Sequence, residues 1–163
     1  MTENTLPKNA PALLVYDFDG VMTDNRVIVR EDGLESVVCN RGDGLGINII
    51  KKMDIPQIIL STETNPVVAA RAKKIGIPAI HGSSNKKETL QNFCQENDIA
   101  MTDVFFVGND MNDYEVMEAC GFGICPSDSH KNIITLAGLT TEAKGGYGVI
   151  RELADLLHDK YAE

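Results

Sequence analysis

Residues 13–24 read LLVYDFDGVMTD, and the reading of this stretch decides the fold. Its first part, LLVY, is a short apolar run suited to a buried strand. The run ends on two carboxylates, Asp17 and Asp19, followed by a glycine and a third acid, Asp24. Buried acids are costly unless something pairs them. Either these acids lie on an exposed strand end, or they meet a cation.

Outward from this stretch the chain alternates. RVIV (26–29) and LESVVC (34–39) flank the turn signal EDG and read as a β-hairpin. GLGINIIKKM (44–53) has helical apolar spacing at Leu45, Ile49, Ile50 and Met53. PQIILS (56–61) is a strand. Asn65 caps and Pro66 opens the helix VVAARAKKI, which ends at Gly76. IPAIHG (77–82) is a brief strand, NKKETLQNFCQEN (85–97) a helix, and DVFFVGND (103–110) a buried strand. DYEVMEAC (113–120) is a helix, FGICP (122–126) a strand, and after a loop GVIRELADLLHD (148–159) sets Val149, Leu153, Leu156 and Leu157 on one face. Alternating strands and helices predict an α/β fold: a three-layer, Rossmann-like parallel sheet with helices on both faces, an inserted hairpin and no cap domain.

With 163 residues, 43% hydrophobic and 24% charged, the chain is expected to form one globular domain spanning 1–163, with residues 1–10 flexible. Its net charge of −9 and lack of a basic stripe argue against nucleic acid as a partner. Cys39, Cys94, Cys120 and Cys125 form no C-x-x-C pair, which argues against zinc and for free thiols. The polar start MTENTLPKNAP has no signal-like apolar core and no membrane-length run follows, so a cytoplasmic location is expected.

In such sheets ligands bind beyond the carboxyl ends of the strands. There the first strand delivers Asp17 and Asp19, PQIIL delivers Ser61, Thr62 and Glu63, Lys86 opens a helix, and DVFFV delivers Asn109, Asp110 and Asp113. Phosphoryl transfer through an aspartyl phosphate wants this set. Asp17 would attack phosphorus. Asp19 would protonate the leaving oxygen and then activate water. Ser61, Thr62 and Lys86 would hold phosphate oxygens. Several acids repel a phosphate dianion unless a hard cation such as Mg²⁺ lies between them, which answers the question raised by residues 13–24.

The same residues resemble the motifs of the haloacid dehalogenase superfamily of phosphohydrolases: DFDGV (17–21), Ser61, Lys86 and GNDMND (108–113), in that order. DGVMTD (19–24), RGDGLGI (41–47), PSDSH (126–130) and KGGYGVIRE (144–152) are similar to its small capless subfamily. That subfamily holds 3-deoxy-D-manno-octulosonate 8-phosphate phosphatases, nonulosonate (KDN and N-acetylneuraminate) 9-phosphate phosphatases and modules fused to CMP-sialate synthetases. The resemblance implies sugar-acid biosynthesis, for lipopolysaccharide or sialic acid, and hydrolysis of a 2-keto-3-deoxy sugar-acid phosphate with Mg²⁺. A catalytically weak tetramerising module serving a synthetase is the alternative.

The resemblance also implies metal ligation by Asp17, the Asp19 carbonyl and Asn109, or Asp110 in place of Asn109, with Asp113 in support. It implies a homotetramer built on hairpin 26–39, with a neighbour's Lys144–Arg151 segment closing the site. Two departures stand out. Asn109 replaces an acid, and Glu63 stands where octulosonate phosphatases tend to carry arginine. Glu63 with Arg71 and Lys74 is similar to a nonulosonate phosphatase's substrate set, which favours the nine-carbon acids.

Overall fold

The structure, a computed structural model, describes residues 4–162. Its frame is a six-stranded parallel sheet in the order β5-β4-β1-β6-β7-β8. The strands are β1 (Leu13–Tyr16), β4 (Gln57–Leu60), β5 (Ala79–Ile80), β6 (Val104–Val107), β7 (Phe122–Cys125) and β8 (Leu139–Thr140). The chain steps outward from β1 through β4 to β5, then restarts at β6 on the other side. The strand order therefore reverses between β1 and β6, and a crevice opens there beyond the carboxyl ends.

All of β1, β4 and β6 is buried, as expected of strands covered on both faces. The pleat divides their side chains. Leu14 and Tyr16 join Ile59, Phe105 and Val107 under α1 (Arg41–Lys51), α2 (Val67–Ile75) and α6 (Val149–Tyr161). Leu13 and Val15 join Ile58, Leu60 and Phe106 under α3 (Lys86–Glu96), α4 (Tyr114–Ala119) and α5 (Lys131–Leu136). These are the three expected layers.

β2 (Ile28–Val29) and β3 (Glu35–Ser36) form the hairpin apart from this sheet, turning at Gly33, whose φ is +81°. Val27, Ile28, Val29, Leu34 and Val38 are all at least 50% exposed, while Val37 packs on the domain's own core.

Four details differ from the sequence reading. Helix α1 begins at Arg41, and Leu45 is 59% exposed, because the buried stripe runs through Asp43, Gly46, Ile47 and Ile50. Gly46 sets that stripe: a Cβ there would lie 2.7 Å from Ile150 O of α6. In α6, Leu156 faces outward, and Ile150 and Ala154 take the inner face with Val149, Leu153 and Leu157. The span 127–147, read as a loop, contains α5 and β8, which are too short to show a period. Of the segment expected to be flexible, residues 1–3 lie outside the described residues. Beyond them Leu6 is buried, Thr140 N donates to Asn4 Oδ1 (2.7 Å), and Tyr161 donates to Pro7 O (2.6 Å). The Asn4 side-chain amide thus serves as a partner for the β8 edge.

Candidate active site

The buried strand β1 carries Asp17 directly to the crevice, where it is only 4% exposed. Its Oδ1 accepts from Phe18 N (2.8 Å) and from Lys86 Nζ (2.7 Å). Asn85 caps α3 by accepting from Glu88 N, so the first residue of that helix, Lys86, points into the crevice. Lys86 Nζ also donates to Asp113 Oδ1 (2.6 Å). Asp113 is fully buried, and its Oδ2 accepts from Asn109 N (2.9 Å), which fixes the turn after β6. One lysine therefore ties the acid of β1 to the acid behind β6.

The amide end of Asn109 lies 3.1 Å from Asp17 Oδ2 and 2.9 Å from Asp19 O. With its nitrogen turned to them, Asn109 donates to both oxygens. With its oxygen turned to them, three oxygens face one another, which only a cation makes favourable. Adjacent ligands of an octahedral Mg²⁺ lie roughly 2.9 Å apart, so the spacing fits a hard cation. Among the described residues no three His, Cys, Asp or Glu side chains converge as metal ligands. This trio draws on an amide and a main-chain carbonyl instead. Asp110 borders the same hollow, but its carboxylate accepts from Met111 N (2.7 Å) and caps the turn 111–113.

The hollow itself is about 160 Å³. Of the residues named from the sequence, Asp17, Asp19, Ser61, Thr62, Asn109 and Asp110 line it, together with Asn25 and Asn112. Asn25 has φ +66°, a conformation asparagine tolerates, and it follows the three acids closely, which is a readable turn signal. Ser61 is 1% exposed and its Oγ accepts from Glu63 N (3.1 Å). Gly20 is forced by this crowding: its φ is +81°, and a Cβ would fall 2.0 Å from the Asn109 amide.

Burial pushes the Asp17 carboxyl up, the Asp113 charge adds to this, and Lys86 opposes it. Burial also raises Asp19, followed by the charge of Glu63, again against Lys86. For Lys86, burial alone would lower the ammonium, but the Asp17 and Asp113 carboxylates outweigh it and leave it raised. The bare site therefore carries more negative charge than it can neutralise, and a divalent cation relieves the excess.

Glu63, Arg71 and Lys74 are placed differently. Glu63 Oε1 accepts from Thr64 N and Asn65 N (both 2.8 Å) at the entry to α2. Arg71 donates to Asn40 O (2.9 Å), and with Lys74, Arg41 and Asn48 it lines a separate hollow of about 580 Å³ between α1 and α2. Within one chain, Arg71 and Lys74 do not reach the Asp17 hollow. One buried acid, Asp43, 2% exposed, figured in the sequence only within RGDGLGI and was given no role there.

A family profile of haloacid dehalogenase-like hydrolases matches residues 49–153. The chain belongs to that family, and its sheet order and carboxylate crevice agree with the membership. It is 34% identical over 146 residues to the 3-deoxy-D-manno-octulosonate 8-phosphate phosphatase of Escherichia coli K12, covering 89% of this chain and 78% of that one. It superposes on a HAD-family protein from Streptomyces avermitilis with TM-score 0.91 and 41% identity, over 94% and 88% of the two chains. It also superposes on the octulosonate 8-phosphate phosphatase of Moraxella catarrhalis, solved with magnesium, phosphate and KDO, with TM-score 0.88 and 26% identity, over 92% and 87%. No helix among the described residues is long and apolar enough to cross a membrane.

Proposed function

We propose that this phosphatase is a Mg²⁺-dependent phosphomonoesterase acting on a 2-keto-3-deoxy sugar-acid phosphate, working through an aspartyl phosphate on Asp17. The carrying observation is the Lys86 bridge between Asp17 and Asp113 beside the oxygens of Asp17, Asp19 and Asn109. A Mg²⁺ held by Asp17 Oδ2, Asp19 O and Asn109 Oδ1 would neutralise the acids and the incoming phosphate. Ser61, Thr62 and Lys86 bind phosphate oxygens, and Lys86 and Phe18 N orient Asp17. A carboxylate oxygen of Asp17 bonds to phosphorus as the sugar–oxygen bond to phosphorus breaks. Asp19 gives its proton to the departing alkoxide, and burial, which raises its proton affinity, favours that role. It then takes a proton from the water that attacks phosphorus, which frees phosphate and restores Asp17.

The eight-carbon acid phosphate has the support of the relatives. The nine-carbon acids have the support of Glu63, whose charge reaches Asp19 and disfavours a second carboxylate beside it. Arg71 and Lys74 would contact substrate only from a neighbouring subunit. The exposed apolar hairpin suits such a tetramer; of the neighbour's Lys144–Arg151 segment, the exposed Lys144 and Tyr147 would reach over the site, since Gly145, Val149 and Ile150 are packed within their own chain. Asn109, uncharged at a ligand position, keeps a weakly catalytic partner of a CMP-sialate synthetase as the second reading. A kcat/KM panel of octulosonate 8-phosphate, KDN 9-phosphate and N-acetylneuraminate 9-phosphate decides. Turnover of one or more supports the phosphatase, and the ranking assigns the acid. Inertness toward all three and toward p-nitrophenyl phosphate favours the second reading.

A further inference from the structure

Asp43 lies in the first turn of α1, away from the residues that line the hollow, yet it is 2% exposed and charged. Its Oδ1 accepts from Ile150 N (3.1 Å) and Arg151 N (3.2 Å), more than a hundred residues downstream. Its Oδ2 has no hydrogen-bond partner among the described residues. A half-satisfied buried carboxylate works against stability, so a compensating role is to be looked for.

The two N–H groups belong to the first turn of α6. The residue before that helix is Gly148, with φ +98° and no side chain to cap it. Asp43 supplies the missing cap from another helix. Immediately upstream, the loop 144–148 rests main chain against main chain on the turn that follows Asp19. Gly146 N donates to Val21 O (3.0 Å), a Cβ on Gly145 would fall 2.0 Å from Gly20 O, and one on Gly146 would fall 2.4 Å from Asp24 N. The loop touches the other wall as well. Gly145 N donates to Asp128 Oδ1 (2.9 Å), and His130 N, two residues on, donates to Asn109 O (2.9 Å).

From this path we infer that Asp43 is a positioning residue for the phosphatase reaction: by seating the start of α6 it holds loop 144–148 against the Gly20–Asp24 turn and so fixes the Asp19 carbonyl and carboxyl. The inference rests on the phosphatase reading above. Asp43 touches neither phosphate nor metal. Loosening it would move Asp19 while leaving Ser61 and Lys86, the phosphate holders, in place. The signature is therefore a loss in kcat with an unchanged KM.

The test compares wild type, Asp43→Asn, Asp43→Ala and Gly146→Ala, with p-nitrophenyl phosphate turnover, calorimetric Mg²⁺ binding and thermal melting measured on each. Asp43→Ala is expected to lower kcat at least tenfold with KM within twofold, and to weaken Mg²⁺ binding severalfold. Asp43→Asn keeps an acceptor but no charge, and should lose two- to fivefold in kcat. Gly146→Ala, which wedges the same contact from its far side, should reproduce the Asp43→Ala pattern. Asp43 variants that bind Mg²⁺ and turn over like wild type, with only the melting temperature changed, would overturn the inference. Should Asp43→Ala not fold, Asp43→Asn with wild-type kcat and Mg²⁺ affinity overturns it equally. Should wild type hydrolyse no phosphate ester, the phosphatase reading fails, and Mg²⁺ binding to the same variants still tests the positioning.

Discussion

Lys86 Nζ stands 2.7 Å from Asp17 Oδ1, with only 1% of the lysine side chain and 6% of the aspartate's exposed to solvent. The ammonium both orients the Asp17 carboxylate and offsets its buried charge. Lys86→Met should cut kcat at least a hundredfold on p-nitrophenyl phosphate. It should also cost about 3–5 kcal/mol near neutral pH, because it strands the Asp17 and Asp113 carboxylates. Denaturant melts with and without Mg²⁺ check the second part: bound cation should recover some of the loss.

Asp17→Asn should abolish turnover, on the order of a thousandfold or more, with the fold intact by circular dichroism. EDTA should silence wild type and Mg²⁺ restore it. A nucleophile-less variant with wild-type activity would remove the aspartyl-phosphate mechanism.

Asn109→Asp adds a charge where the amide now meets Asp17 and Asp19. The Mg²⁺ concentration for half-maximal activity should fall severalfold, since ligand charge strengthens binding of a hard cation. Without metal the same variant should be less stable than wild type, because a third carboxylate then faces the first two. An unchanged metal titration would move the third ligand to Asp110.

Asp43 gives a pH dependence outside the reaction centre. Burial raises its carboxyl from 3.8 to about 6, against the Ile150 and Arg151 N–H groups and the Arg71 charge. The folded chain thus holds this proton more tightly than the unfolded one. Its contribution is complete below about pH 4 and is lost as pH rises through 6. Wild type should lose at most about 3 kcal/mol relative to Asp43→Asn over that window. Parallel melts of the two proteins between pH 4 and 7.5 measure the divergence.

Ile28→Asp on the exposed hairpin strand should leave the domain's melting transition intact while dissociating the expected tetramer in sedimentation velocity. Loss of substrate turnover in the dissociated form, with p-nitrophenyl phosphate turnover retained, would show that neighbouring Arg71 and Lys74 read the sugar acid. A monomer in wild type would remove the hairpin's assigned role.

The layer order and the crevice were legible because β1, β4 and β6 are unbroken apolar runs ending in polar residues, and a parallel sheet needs little more to be recognised. Asp17, Asp19, Ser61, Lys86 and Asn109 were readable from position alone, each just past a strand or opening a helix. The helix faces were less legible. Periodicity favoured Leu45 over Ile47, but the stripe is set by Gly46, which lets the α6 main chain approach, and a glycine carries no hydropathy signal. The role of Asp43, a residue noted only within RGDGLGI, was hidden for a related reason: its partners are N–H groups of a distant helix, which no local pattern announces. The placement of Arg71 and Lys74 depends on which hollow a helix face borders, and linear spacing is silent on that.

The joint between loop 144–148 and the Gly20–Asp24 turn is made by peptide groups, with glycines on both sides leaving no room for anything larger. Evolutionary drift in the residues lining the mouth of the cleft would therefore leave this joint untouched. Mutational libraries confined to Glu63 and Asn112 should accordingly yield catalysts with altered preferences and an undiminished bond-breaking step.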